Sequence, residues 1–256
     1  MGPRGGGRPP RAGRPRVAQP PARKMNPTLR PFATAEALAH EAATRWLSAM
    51  DQREKFTVAL SGGRIPKLLY AAVAAEASPE AFANVHFFWG DERCVSPTDE
   101  ESNFKLAAVR LFLAMKVPES QVHRILTERG EAFAVQQAEA EICRIADLDD
   151  AGQPVLDLVF LGMGEDGHVA SLFPGDTEAL ESPSVYRAVT GPKPPPRRIT
   201  LGYPALAAAR EVWVLAAGEG KREALRASLA PDGDTPLARV LQSRTHTEIF
   251  TDFVLA

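Results

Sequence analysis

His168 ends the run Gly162-Met163-Gly164-Glu165-Asp166-Gly167-His168, a loop freed by three glycines with a carboxylate two residues before the imidazole. An imidazole titrates near neutral pH and a nearby carboxylate can orient it, so the pair suits general acid/base work. A second loop, Ser61-Gly62-Gly63-Arg64-Ile65-Pro66, follows a short apolar run. Adjacent glycines let a backbone approach a ligand, and a helix start beyond them favours a phosphate. Pro66 suits the first helical turn. Asp91-Glu92-Arg93 follows four apolar residues, and an arginine there can clamp an anion through two parallel hydrogen bonds. Gly191 to Arg198 carries Lys193, Arg197 and Arg198 on a proline-rich stretch without acids, a stiff polyproline-like arm for phosphate. Each feature also has a structural reading. A lone histidine is more often a packing residue, a Gly-Gly turn needs no ligand, Asp91 and Arg93 can form an ordinary ion pair, and a basic loop can be merely solvated.

These residues need elements to hold them. The spacing of Ala37, Leu38, Ala42, Trp46, Leu47 and Met50 predicts an amphipathic helix capped by Thr34. Phe56–Leu60, Val85–Trp89 and Asp157–Leu161 read as buried strands, each running into one of the loops above. Helices are predicted through 67–75, over 103–115 and over 132–145, with His168 placed where another helix could start. Residues 199–201, 212–215 and 247–250 read as later strands, with a helix beginning near Lys221. Strands alternating with helices predict an α/β fold: a doubly wound, mostly parallel sheet with helices on both faces. In such sheets ligands bind outside the carboxyl ends of the strands, so three loops converge on one crevice. The Asp91–Arg93 triplet is expected at a strand end, because burying unpaired charge is costly.

Composition bounds the function. The chain has 256 residues, the size of one α/β domain. Residues 1–24 hold six Arg, one Lys and no acid, in a Gly/Pro-rich stretch that cannot bury a core and is expected to be a disordered tail. Met25 opens the ordinary sequence, so 25–256 is the expected domain and translation could start there. The rest of the chain carries 23 basic and 32 acidic residues, a net of −9, unlike a nucleic-acid binder. No apolar stretch approaches the roughly 20 residues of a membrane helix. Cys94 and Cys143 are the only cysteines, and His40, His86, His123 and His246 have no ligand spacing, so neither a disulfide scaffold nor a zinc site is expected. The default location is reducing and cytoplasmic.

Three blocks carry a resemblance. Phe88-Trp89-Gly90-Asp91-Glu92-Arg93, followed by Ser102-Asn103, resembles the W-G-D-E-R…S-N block of 6-phosphogluconolactonases. Leu161 to Gly175, LGMGEDGHVASLFPG, resembles that family's L-G-M-G-x-D-G-H-x-A-S-L-F-P-G signature, and Pro192 to Leu201 resembles its third block. The blocks come in the family's order from roughly Arg30 onward. The resemblance implies a glucosamine-6-phosphate deaminase-like fold and hydrolysis of 6-phosphoglucono-δ-lactone to 6-phosphogluconate, the second step of the oxidative pentose phosphate pathway, without a cofactor. It implies His168 as general base and Asp91, Arg93, Lys193 and Arg198 as substrate contacts. Asp166, close in sequence, is expected to help orient the loop, and Ser61, Gly62, Gly63 and Arg64 of the glycine turn are expected to bind substrate. The cations divide between phosphate and oxyanion. One block departs: the family usually has S-G-G-S-[TS]-P, and here Arg64 and Ile65 replace two hydroxyl residues. Two other readings remain. An amino-sugar-phosphate deaminase would continue after G-x-D-G-H with an acidic Asn-Glu-Pro stretch, where this chain has Ser171-Leu172-Phe173-Pro174. A sugar-phosphate-sensing regulator would need a DNA-binding helix pair that residues 1–24 cannot form.

Overall fold

The computed structural model describes residues 26–255. The expected tail and the start at Met25 lie outside them. The described chain begins with β1 (Pro27–Pro31), α1 (Ala35–Met50), β2 (Phe56–Leu60), α2 (Arg64–Glu76), β3 (Val85–Trp89) and β4 (Asp91–Arg93). Then come α3 (Asn103–Ala107), a π-helical turn over Ala108–Phe112, α4 (Leu113–Met115) and α5 (Glu131–Ile145). A small hairpin of β5 (Asp147–Leu148) and β6 (Pro154–Val155) precedes β7 (Leu158–Gly162) and α6 (Thr177–Glu181). The chain ends with β8 (Tyr186–Thr190), β9 (Arg197–Leu201), α7 (Tyr203–Ala208), β10 (Glu211–Ala216), α8 (Arg222–Leu229), α9 (Pro236–Gln242) and β11 (Thr247–Thr251).

Six strands form one all-parallel sheet in the order β1-β11-β10-β7-β2-β3. The chain moves toward β3 through α1 and α2, and toward β1 through the elements after β7. Right-handed crossovers therefore place the two sets of helices on opposite faces. The winding reverses between β2 and β7, which share only two register pairs, Val58↔Leu158 and Ala59↔Val159. Beyond them the two strands part, and a crevice opens at the switch point where ligands of such sheets bind.

The sheet is buried from both sides. All five residues of β2 are buried, and Trp46 of α1 packs edge-on against Phe160 of β7 at 5.0 Å between ring centroids. Helix α1 is capped as expected: Thr34 Oγ1 accepts from Ala37 N–H at 3.1 Å. Its buried stripe runs through Leu38, Ala42 and Trp46, while Ala37 faces out.

Three expectations change. Strand β9 is not part of the parallel sheet. It pairs antiparallel with β4 and β8 in a separate three-stranded sheet. The triplet Asp91–Arg93 is itself a strand, with Asp91 and Glu92 buried. The stretch 103–115 bulges into a π turn at its centre. Strand β1 was not anticipated: two prolines in five residues argue against a central strand, and it sits at the sheet's edge, where proline is tolerated.

His86 of β3 and His123 lie 2.9 Å apart, Nδ1 to Nε2, and His123 Nδ1 is 2.8 Å from Glu141 Oε1 on α5. Burial, and then the charge of the partner imidazole, lower the His86 pKa. Burial lowers that of His123 against the pull of Glu141. Each folded pKa lies below the unfolded value of about 6.5, so in acid the unfolded chain takes up protons that the fold refuses. Stability from this pair is complete above about pH 6.5 and is lost as pH falls through the lowered values. The melting temperature should drop between pH 7 and pH 5, and the drop should be smaller in His86→Leu.

Candidate active site

Glycine 90 joins the two sheets. Its N–H donates to Leu60 O of β2 at 2.8 Å, and its C=O accepts from Leu201 N–H of β9 at 2.8 Å. Two fully buried tyrosines fix the strand ends beside it. Tyr70 Oη donates to Ser61 O at 2.6 Å and accepts from Ser61 N–H at 3.2 Å, while Tyr186 Oη donates to Trp89 O at 2.7 Å. At these ends lies a cavity of about 140 Å³ lined by Ser61, Gly62, Asp91, Arg93, Gly162, Met163, His168, Ala170 and Arg198. Six of the ten residues singled out in the sequence therefore share one cavity. Two larger depressions border it. One, of about 420 Å³, shares Arg93 and adds Gly63, Lys67 and Arg110; the other, of about 810 Å³, includes Asp166, Phe173 and Glu131.

His168 does not begin a helix. It sits in a compact loop in which Gly164 N–H donates to His168 O at 2.8 Å and Gly167 N–H to Gly164 O at 3.1 Å. Its Nδ1 lies 2.6 Å from Asp166 Oδ1, which also accepts from His168 N–H at 3.2 Å. Burial works to raise the Asp166 pKa, but hydrogen bonds from the His168 ring and backbone outweigh it, and the net shift is downward. An ionised carboxylate only accepts, so Nδ1 is the donor in this contact, and in the neutral ring that tautomer leaves the lone pair on Nε2. The Phe173 ring packs against His168 at 5.0 Å, and the Arg198 guanidinium lies 5.6 Å from the same ring. The loop is permitted by Gly164, where a Cβ would overlap the His168 ring and Asp166 Oδ1. Gly164→Ala should keep its circular dichroism but lose at least about tenfold in kcat, since small displacements of a reacting group are that costly.

Charge is buried here only where donors meet it. Glu92 accepts from the N–H groups of Arg93, Asn103 and Phe104 at 2.7–2.8 Å and from Ser102 Oγ at 3.1 Å. Burial still raises its pKa against these bonds. Glu92 thus caps α3 and delivers Asn103, whose Nδ2 donates to Asp91 O at 2.8 Å and lies 3.3 Å from Asp91 Oδ1. Ser171 Oγ donates to Asp91 Oδ2 at 2.6 Å. A Cβ on Gly62 would overlap Asn103 Oδ1, so this glycine is required by close approach. The triplet follows the end of β3, and its buried charges are not unpaired: four donors satisfy Glu92 and two reach Asp91.

Arg93 and Arg198 are direct cross-strand partners on β4 and β9. Like charges placed opposite each other destabilise a sheet. Arg93 reaches Glu101 through O and Oε2 at 2.8 and 3.3 Å. Arg198 donates only to the carbonyls of Pro195 and Lys193, at 3.0 and 3.4 Å, and has no carboxylate partner among the described residues. Its pKa is lowered by burial and then by Arg93. An anion in the cavity would offset both the cost of burying the Arg198 charge and its repulsion from Arg93.

Asp166 touches His168 and Gly63 lies beside Arg93, whereas Arg64 and Lys193 lie apart. Arg64 is exposed and turns its guanidinium toward Ala217 O, 3.3 Å away, across the exit of β7. Lys193 sits on the hairpin between β8 and β9 and lines none of these cavities; Gly191 N–H donating to Pro196 O at 2.6 Å closes that segment as a turn, not as an extended arm. Asn103, Ser171, Phe173 and the two tyrosines were not singled out. The spacing of Ser102-Asn103 after Glu92 was the available signal for the first, and buried hydroxyls leave none.

Among the described residues, one group of potential metal ligands gathers: Glu211, His246 and Glu248. It lies at the amino ends of β10 and β11, away from the cavity, and Glu248 is already paired with Arg30 and with Arg45. No described helix is long and apolar enough to cross a membrane.

The sequence model of the family described as glucosamine-6-phosphate isomerases/6-phosphogluconolactonase matches residues 30–250, and the chain belongs to this family. The 6-phosphogluconolactonase of Nostoc sp. is 39% identical over 193 residues, 75% of this chain and 78% of that protein. The 6-phosphogluconolactonase of Mycobacterium tuberculosis is 38% identical over 189 residues, 71% of this chain and 76% of the other. Among solved structures, 6-phosphogluconolactonase from Leishmania guyanensis superposes with a TM-score of 0.79 at 29% identity, covering 88% of this chain and 96% of that one. A monomeric glucosamine-6-phosphate deaminase shares the fold, with a TM-score of 0.74 at 19% identity, over 88% of this chain and 97% of its own.

Proposed function

We propose that this chain hydrolyses 6-phospho-D-glucono-1,5-lactone to 6-phospho-D-gluconate. The observation that carries the reading is one cavity, at the switch point of the sheet, lined by a carboxylate-oriented imidazole and two opposed arginines. His168 Nε2 takes a proton from water as the water attacks the lactone carbonyl. Positive charge stabilises the tetrahedral oxyanion, whose collapse breaks the ring C–O bond while the His168 imidazolium returns its proton to the leaving ring oxygen. Arg198 supplies that charge, because it stacks on the ring that also packs against His168. Arg93 serves the phosphate, because it borders the cleft with Gly63, Lys67 and the start of α2. The phosphate contacts then hold the carbonyl for attack. An ester-like carbonyl is already electrophilic, so the scheme uses side chains and water alone. Cys94 and Cys143 are free thiols, which suits a reducing cytoplasm. Disappearance of the lactone with purified protein, corrected for spontaneous hydrolysis, tests the proposal. A rate no faster than the spontaneous one overturns it.

A further inference from the structure

Ala170, two residues after His168, has φ of 49°, in the left-handed region that a Cβ disfavours. Gly167, on the other side of His168, has φ of 78° but pays no such penalty as a glycine. Ala170 is the second residue of the turn closed by Leu172 N–H on Val169 O at 2.9 Å. That bond also forms in turns whose second residue has negative φ, so it does not select the left-handed form. A strained residue persists where its surroundings over-determine it.

Ser171 supplies the restraint. Its Oγ donates to Asp91 Oδ2 at 2.6 Å, and its N–H donates to Thr200 Oγ1 at 3.1 Å. Ser171 and Thr200 are each 0% exposed, so neither hydroxyl is open to the cavity. Asp91 is buried and anchored from its other side by Asn103. Releasing Ser171 would leave a buried carboxylate short of a donor, which is costlier than keeping the turn strained.

We propose that Ser171 is a positioning residue: through Asp91 and Thr200 it holds Ala170 left-handed and so sets the place of the His168 ring. The proposal rests on the reading of His168 as the base. It gives Asp91 a second task, joining the loop after β7 to the strand that carries Arg93.

The test measures kcat, KM and melting temperature for Ser171→Ala and Thr200→Val, each with and without Ala170→Gly. Ser171→Ala should lower kcat by about tenfold to a hundredfold with KM changed by less than about threefold, since the base is displaced while the phosphate contacts stay. Thr200→Val should act in the same direction but less. Ala170→Gly should then recover about threefold or more in kcat in the Ser171→Ala chain, and more than it gives in the parent, because glycine takes the left-handed form without restraint. A merely structural Ser171 lowers the melting temperature, leaves kcat of the folded enzyme alone and shows no such background-dependent gain. If Ser171→Ala does not fold, the Thr200→Val pair decides by the same criteria. Kcat within about twofold of the parent in the folded variants, or an equal gain from Ala170→Gly in both backgrounds, overturns the proposal. His168→Asn, run in parallel, separates the two levels. An active His168→Asn removes the base itself, whereas an inactive one beside unaffected Ser171 and Thr200 variants removes only the positioning role.

Discussion

His168→Asn is expected to lower kcat for the phosphorylated lactone by about 10²–10⁴-fold, the usual contribution of a general base, with KM little changed. The ring is half-buried and held by the loop instead of holding it: the bonds that shape residues 164–168 are mostly backbone bonds. Asparagine therefore leaves the fold intact. Steady-state rates beside melting curves separate chemistry from stability. Asp166→Asn should lose less, because the ring remains in place while its Nδ1 proton loses a charged acceptor. A His168→Asn enzyme within about threefold of the parent would falsify the base assignment.

Arg198→Met should lower kcat by about 10²–10³-fold on the phosphorylated lactone and on glucono-δ-lactone alike, as expected for loss of an oxyanion donor. Arg93→Met should instead cost the phosphorylated substrate about 10–100-fold in kcat/KM and leave glucono-δ-lactone nearly untouched, since a charge-assisted contact contributes about 1.5–3 kcal/mol. Either change also removes a like-charge cross-strand pair, so melting temperatures should not fall as they do for ordinary buried substitutions. The parent enzyme should prefer the phosphorylated lactone by several powers of ten. If the two variants show the same substrate profile, the division of labour between the arginines is lost.

The parallel sheet was legible because buried strands such as Phe56–Leu60 are continuous apolar runs followed by glycine. The cavity was legible for the same reason: loops after such strands converge, and Ser61, Gly62, Asp91, Arg93, His168 and Arg198 do meet. The antiparallel sheet was not, because β4 is three charged residues that pair with the distant β9 and whose burial depends on donors up to 80 positions away. Nothing local in Asp91-Glu92-Arg93 announces Ser171. The left-handed turn at Ala170 was hidden too, since alanine carries no signal for positive φ. Arg64 was read for its charge, but its direction is set by the neighbouring loop after β10.

The pairing of β1 with β11 has a consequence during synthesis. Pro27 faces Thr247, so the first strand of the described chain pairs, among the described residues, only with a strand made some 220 residues later. At ribosomal speeds of about 5–20 residues per second, β1 waits on the order of ten to forty seconds with both edges open. An unpaired strand is a template for association with other nascent chains. Two prolines in a strand of five, and Arg30 between them, make this one a poor template until Glu248 arrives to neutralise that arginine.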